Sequence, residues 1–394
     1  MRALSSTCLR SSISYHSSAV LLHLTDDIAF RPQPFNVILD TGSSDLWVAD
    51  TSCTRCSRET PLFNPSASTS FQTSSATTTI SYGSGQVAGI VASDKVSMGN
   101  FSLAKQGFLA VDRTSANLLS GSVSGIMGLA FGAISSTRSV PFWQGLIADR
   151  QLSAPEMSFW LTRFRGKRGV REEEPGGAFT LGGRNASLFQ GDIEFIDAGQ
   201  ASFWLLGLSG VTAQGNNVKV ATGNAAPSAI DTGTTLIGGP TPDVNAIWAQ
   251  VPGASLIGDS MPGFFQFPCS TTVQINMAFG GKSWPINPAD MNLGPGTGGT
   301  MCLGGIFDLS LGSNIQANSG NPTWVVGDTF LKNVYTVFRQ SPLSIGFAQL
   351  SDAAGGSGTP GAATTRPNGA SPSGSGSGSM LLGLALGAAV YALL

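Results

Sequence analysis

One acidic signature occurs twice in the sequence. Val37-Ile38-Leu39-Asp40-Thr41-Gly42-Ser43-Ser44 is echoed by Ser228-Ala229-Ile230-Asp231-Thr232-Gly233-Thr234-Thr235, with the two aspartates 191 residues apart. In each copy, apolar residues run into Asp-Thr-Gly and two hydroxyl residues follow. A strand that ends in Asp, with glycine next but one, makes a sharp turn that a second chain can approach closely. The hydroxyls can hydrogen-bond the adjacent backbone and the carboxylate, fixing its orientation. Two such turns meeting face to face would bring Asp40 and Asp231 together. Touching carboxylates do not both ionise easily, so one keeps a proton. The ionised one can then act as general base on a water while the protonated one polarises a carbonyl. A lone Asp-Thr-Gly is an ordinary turn signal, but two at this separation point to duplication of a lobe.

The composition leaves few rivals to this chemistry. The only histidines are His16 and His23, so beyond Phe30 a Ser-His or Cys-His nucleophile has no base and a His-ligated zinc has no ligands. Neither a metal nor a cofactor is expected. The chain carries 21 Lys and Arg against 23 Asp and Glu, a net charge of −2, and so has no basic excess for nucleic acid. Charged residues are only 11% of the 394, which excludes charge-driven disorder for the bulk of the chain.

The elements that must position the acids are strands. Apolar runs such as Phe35-Asn36-Val37-Ile38-Leu39 and Trp324-Val325-Val326 alternate with clusters of Gly, Ser, Asn and Thr, an all-β pattern. The 51 glycines and 21 prolines favour turns over long helices. Two short helices are predicted. One spans residues 242–248, with Thr241 as cap and Pro242 at the first helical position; the other follows Pro141, through Phe142 to Ile147. Of the five cysteines, Cys53 and Cys56 could close a tight loop and Cys269 and Cys302 a longer one, leaving Cys8 over. Cys53-x-x-Cys56 also reads as half a zinc site or a redox motif, but a second such pair is missing, which favours disulfides in an oxidising compartment.

Residues 1–30 fit no element and contain no secretory apolar run of about 7–15 residues. Residues 31–190 and 191–351 are expected to form two lobes. A charged island interrupts the first: Arg163, Arg165, Lys167, Arg168 and Arg171, followed by Glu172, Glu173 and Glu174. It reads as a solvated loop or as a processing site at Lys167-Arg168. Residues 352–379 are a linker of Ser, Gly, Pro, Ala and Thr. Residues 380–394 are apolar and uncharged, short of the roughly 20 residues of a bilayer span. With small residues at Asn368-Gly369-Ala370 and a polar spacer, they read as a glycolipid-anchor signal, or else as a short tail anchor. The sequons at Asn100 and Asn185 are compatible with secretion.

Residues 33–350 resemble the pepsin-like aspartic proteases. Residues 35–48 (FNVILDTGSSDLWV) are very specific for that family. Ile80-Ser81-Tyr82-Gly83-Ser84-Gly85 resembles the flap hairpin, and Ser124-Gly125-Ile126-Met127-Gly128-Leu129-Ala130 the segment threading beneath the first catalytic loop. Val325-Val326-Gly327-Asp328-Thr329-Phe330-Leu331 resembles its second-lobe counterpart, and Ile345-Gly346-Phe347-Ala348 the closing strand. The resemblance implies an all-β, two-lobed fold in which each lobe is mostly antiparallel with a few short helices. It implies that Asp40 and Asp231 are the catalytic dyad, supported by hydroxyls at Ser43 and Thr234. Tyr82 would close over substrate, braced by Trp47. The backbone around Gly42, Gly83, Ser84, Gly233 and Thr235 would meet an extended peptide. Ile126 would line an apolar subsite or pack in the core. The resemblance also supports the pairs Cys53–Cys56 and Cys269–Cys302.

Two departures stand out. Residues 24–33 replace the strand and turn that usually precede the first catalytic strand, so the first-lobe sheet is expected to lack a strand. Arg339 stands where an acidic residue is frequent, at a position expected to be peripheral. The function implied is a monomeric, extracellular or cell-surface endopeptidase, acting at acidic pH on peptides or proteins with apolar residues at the cut. The alternative is an impaired, protease-like surface protein that binds peptides.

Overall fold

The computed structural model describes residues 6–363 apart from 17–18, 31–32, 116–117, 120, 165–172, 297–298 and 316–319, and describes 6–30 and 173–175 as backbone only. The Lys167-Arg168 site and the apolar tail therefore lie outside the described residues. Among the described residues, β-strands dominate and helices are short. The largest sheet has thirteen strands drawn from both halves of the chain. One end of it joins the halves: Glu156–Leu161 pairs antiparallel with Tyr335–Gln340, which pairs with Leu343–Leu350, which pairs with Phe189–Asp197 at the edge. The second half adds two sheets of five strands and one of four.

The strands that carry the acids are buried on both faces. Gln33–Asp40 runs parallel to Val123–Gly128, with Ile38 opposite Ile126 and Asp40 opposite Gly128. In the second half Pro227–Ile230 runs parallel to Trp324–Val326, with Ile230 opposite Val326. Their mostly apolar runs suit parallel pairs covered on both sides. Beneath the first turn lies an aromatic cluster: Phe131 is 4.5 Å from Trp204, and Trp204 is 5.2 Å from Phe338, centroid to centroid. Trp204 donates its indole N–H to the Leu129 carbonyl, and Trp143 donates to that of Ala130, both at 3.0 Å. The aromatic core thus fixes the segment that supports the Asp40 turn.

Three sequence expectations need correction or completion. The expected gap in the sheet is filled, because Ser6–His16 and Ala19–Phe30 pair as a hairpin. Its outer strand pairs with Glu173–Leu181, and its inner strand with Gln33–Asp40 and, through Ile28 to Phe30, with Gly85–Met98. A ladder is made by backbone donors and acceptors, so altered side chains do not prevent it. The second-lobe helix is Thr241–Trp248, one residue earlier than predicted. Pro240 is extended at the cap, and its carbonyl takes the Asp243 and Val244 amides at 3.1 and 3.0 Å. Phe142–Ala148 follows Pro141 as expected. Arg339 stacks over the Phe195 ring at 3.8 Å, so it has a packing role at its position.

Candidate active site

The two acidic turns meet through their threonines. Thr41 N–H donates to Thr232 Oγ1 at 3.1 Å, and Thr232 N–H donates to Thr41 Oγ1 at 2.9 Å. Each hydroxyl then donates across the junction, Thr41 to the Ile230 carbonyl at 2.9 Å and Thr232 to the Leu39 carbonyl at 2.7 Å. Four buried bonds therefore lock one turn against the other. Sequence reasoning missed this role of Thr41 and Thr232, although the same threonine in both copies was the available signal.

Asp40 and Asp231 are fully buried, and each carboxyl lies against the glycine of the opposite turn. The local bonds are matched. Gly42 N–H donates to Asp40 Oδ1 at 2.8 Å, and Gly233 N–H to Asp231 Oδ1 at 2.7 Å. Ser43 Oγ donates to Asp40 Oδ2, and Thr234 Oγ1 donates to Asp231 Oδ2 at 2.6 Å. The glycines also have a steric reason to be glycines. A Cβ on Gly42 would sit 2.5 Å from the Asp231 carboxyl, and one on Gly233 would overlap the Asp40 carboxyl. Each turn therefore leaves room for the acid of the other.

Burial pushes both carboxyls above the usual carboxylate range. The rise is larger for Asp231, where the charge of Asp40 adds to the loss of solvent and the bond to Asp40 favours the protonated form. For Asp40 the bonds from Ser43 and Asp231 favour the ionised form and offset part of the rise. The pair therefore holds one proton between its two carboxyls more readily than it ionises fully.

Above the first turn, Gln72–Tyr82 and Gly85–Met98 form a hairpin whose turn is Gly83-Ser84. Trp47, in the strand Leu46–Ala49, donates its indole N–H to Tyr82 Oη at 2.6 Å. Both side chains are buried. Ile126 is fully buried in the same apolar cluster as Ile38, Trp47 and Tyr82, so it packs beneath the brace of the flap. The Thr235 carbonyl accepts the Thr329 N–H at 2.9 Å and its hydroxyl at 3.1 Å, which ties the second turn to the helical turn Asp328–Leu331. Cys53–Cys56 and Cys269–Cys302 are both disulfides, as the resemblance implies.

Residues 27–350 match the family model described as eukaryotic aspartyl protease. The chain belongs to the eukaryotic aspartyl protease family. It is 44% identical to major aspartyl peptidase 1 of Cryptococcus neoformans var. grubii over 81% of this chain and 66% of that protein. It is 31% identical to an aspartic protease of Phaffia rhodozyma over 82% of this chain and 76% of that one. Against human cathepsin D the identity is 28%, over 82% and 79% of the two chains. As a eukaryotic aspartyl protease, the chain is an aspartic-type endopeptidase, a hydrolase of the two-lobed pepsin fold.

Proposed function

We propose that Asp40 and Asp231 are the catalytic dyad and split peptide bonds by activating water. Asp40 takes a proton from a water, whose oxygen attacks the scissile carbonyl carbon. Asp231 gives its proton to the carbonyl oxygen, so a tetrahedral diol forms with no covalent bond to the protein. Asp40 then gives its proton to the amide nitrogen, the C–N bond breaks as one diol hydroxyl returns a proton to Asp231, and acid and amine leave. Ser43 and Thr234 hold the outer carboxyl oxygens still, and Tyr82, braced by Trp47, covers the peptide. Gly83 and Ser84 at the flap tip, with the backbone of the two acidic turns, meet the extended chain.

The observation that carries this reading is the meeting of two fully buried carboxyls, each in a matched Asp-Thr-Gly turn that is bonded to the other. Chemistry of this kind needs one proton in the pair. Hydrolysis is therefore expected to fall as pH rises and the pair loses its second proton, which gives an acidic working range. Asp40→Asn and Asp231→Asn should each lower kcat on a denatured protein about 10³-fold or more while circular dichroism stays that of the parent. Normal turnover in either variant would remove the dyad mechanism.

The cell-surface setting is part of the proposal. Two disulfides favour an oxidising compartment. The Ser- and Gly-rich linker and apolar run at 380–394 favour a lipid-anchored form, which a phosphoinositide-specific phospholipase would release from cells. Asn100, exposed at the turn between Gly85–Met98 and Phe101–Thr114, is open to a glycan. Both acidic turns lie in one chain, which favours a monomer, and apolar side chains beside the cut are the expected preference.

A further inference from the structure

The flap is already fastened to the opposite lobe. The Gly83 carbonyl, at the tip of the hairpin, accepts the backbone N–H of Asn314 at 2.9 Å. Asn314 comes from the second half of the chain, just after the helical turn Leu309–Gly312. That turn is a firm mount. The Asp308 carboxylate accepts the Ser310 and Leu311 amides at 2.9 and 3.3 Å, and the Asp308 amide donates to the Gly263 carbonyl at 2.8 Å. Ser313 Oγ donates to the Leu309 carbonyl at 2.6 Å and accepts the Ile315 amide at 3.1 Å. Beneath it Phe264 and Phe307 stack 5.1 Å apart. Between mount and hairpin lies a cavity of about 320 Å³, bounded by Ser81, Tyr82, Gln86 and Ser115 on one side and by Asn314 and Ile315 on the other.

The hairpin therefore has two holds of different kinds. The Trp47–Tyr82 bond ties its base to a core strand of its own lobe at 2.6 Å. The Gly83–Asn314 bond spans the two lobes, so it must break if the tip lifts. We propose that this bond is a latch that keeps the flap closed in the peptide-free enzyme, and that an incoming peptide must displace it. The proposal rests on the reading of the cleft as a peptide-hydrolysing site. Opening frees the Gly83 carbonyl as an acceptor, and a peptide N–H arriving along the strand edge satisfies it again. Apparent affinity is then reduced by the fraction of molecules that are open.

Because the donor is a backbone amide, Asn314→Pro removes it and Asn314→Ala retains it. Ser313 is extended, with φ −148° and ψ 172°, a backbone that accepts a following proline. The full chain is assayed with an octapeptide centred on two phenylalanines. Asn314→Pro should lower KM about fivefold at unchanged kcat, the ratio that one ordinary hydrogen bond sets. Asn314→Ala should leave both constants alone. In the peptide-free protein, amide exchange over residues 81–86 should quicken in the proline variant only. An unchanged or raised KM, with a parent enzyme that cleaves the peptide, overturns the latch and leaves the protease reading standing. A parent that cleaves nothing removes the protease reading, and exchange then decides the latch alone: faster supports it, unchanged overturns it. Should the proline variant not fold, Ser313→Ala loosens the same mount. It should shift KM and exchange in the same direction by a smaller factor, and no shift counts against the latch.

Discussion

Around Asp40 and around Asp231 the backbone makes the same bonds. The turn glycines donate to the carboxyls at 2.8 and 2.7 Å, and Ser43 and Thr234 cap them from the far side. Beneath the turns the match slips by one residue: Ala130, two past Gly128, donates its N–H to the Ser43 carbonyl, whereas Asp328, one past Gly327, donates to the Thr234 carbonyl, both at 2.8 Å. The side chains under these bonds are not alike. Five residues past the first acid stands Asp45; five past the second stands Leu236, buried among Phe264 and Phe307. After Gly128 comes Leu129, whereas after Gly327 comes Asp328. Each half thus buries an extra acid, but at a different place and with a different fate. Asp45 receives four donors: the Ser135 and Thr137 hydroxyls at 2.7 and 2.6 Å, and the Ser136 and Thr137 amides at 2.8 and 3.0 Å. Among the described residues, one carboxyl oxygen of Asp328 has no hydrogen-bond partner. The geometry of the dyad is held by backbone and hydroxyl bonds, so the charges beneath were free to diverge between the halves.

The sharpest way to expose that divergence is to remove the paired acid. Asp45→Ala would take the shared acceptor from two half-buried amides and two hydroxyls of 135–137 and should destabilise the protein by about 3–5 kcal/mol. The midpoint of urea unfolding reads this directly. A loss below about 1 kcal/mol would mean that the first-lobe network is solvated and that the two halves are more alike than their bonds indicate.

The opposite expectation holds where the halves are matched. Thr41→Val and Thr232→Val each delete one donor and one acceptor of the four-bond junction. Each should cost about 2–3 kcal/mol, and to a similar degree. The double variant should cost less than the two together, because the bonds share partners. Strongly unequal single effects would show that one turn positions the other and not the reverse.

The matched parts were legible in the sequence because they are local. Asp40 with Ser43, and Asp231 with Thr234, are three residues apart, and spacing alone brings hydroxyl to carboxyl. Whatever depends on a distant partner was not. The donors to Asp45 lie 90 to 92 residues away, the junction threonines 191 residues from each other, and the flap tip touches Asn314 from the far lobe. Gly42 and Gly233 were legible as turn glycines, but the need to clear the opposing carboxyl appears only when the turns meet. The hairpin within residues 6–30 was hidden for another reason. Its place in the sheet rests on ladder bonds, which leave no mark in side-chain type.

The orphan acid gives an effect that depends on pH. Burial raises the Asp328 carboxyl from 3.8 to about 8, with Asp290 adding to the rise and Lys332 opposing it. Below 3.8 the folded and unfolded chains both hold this proton. Above it the unfolded chain releases the proton while the folded chain keeps it, so stability drains away until pH passes about 8. The dyad, whose carboxyls are also raised, drains stability with the same sign. Asp328→Asn should therefore change the unfolding midpoint little at pH 3.5 and raise it at pH 7.5, reducing the slope between them without abolishing it. Equal slopes in parent and variant would place a second partner on the bare oxygen of Asp328. The two halves would then differ only in where their acid sits, and no longer in whether it is satisfied.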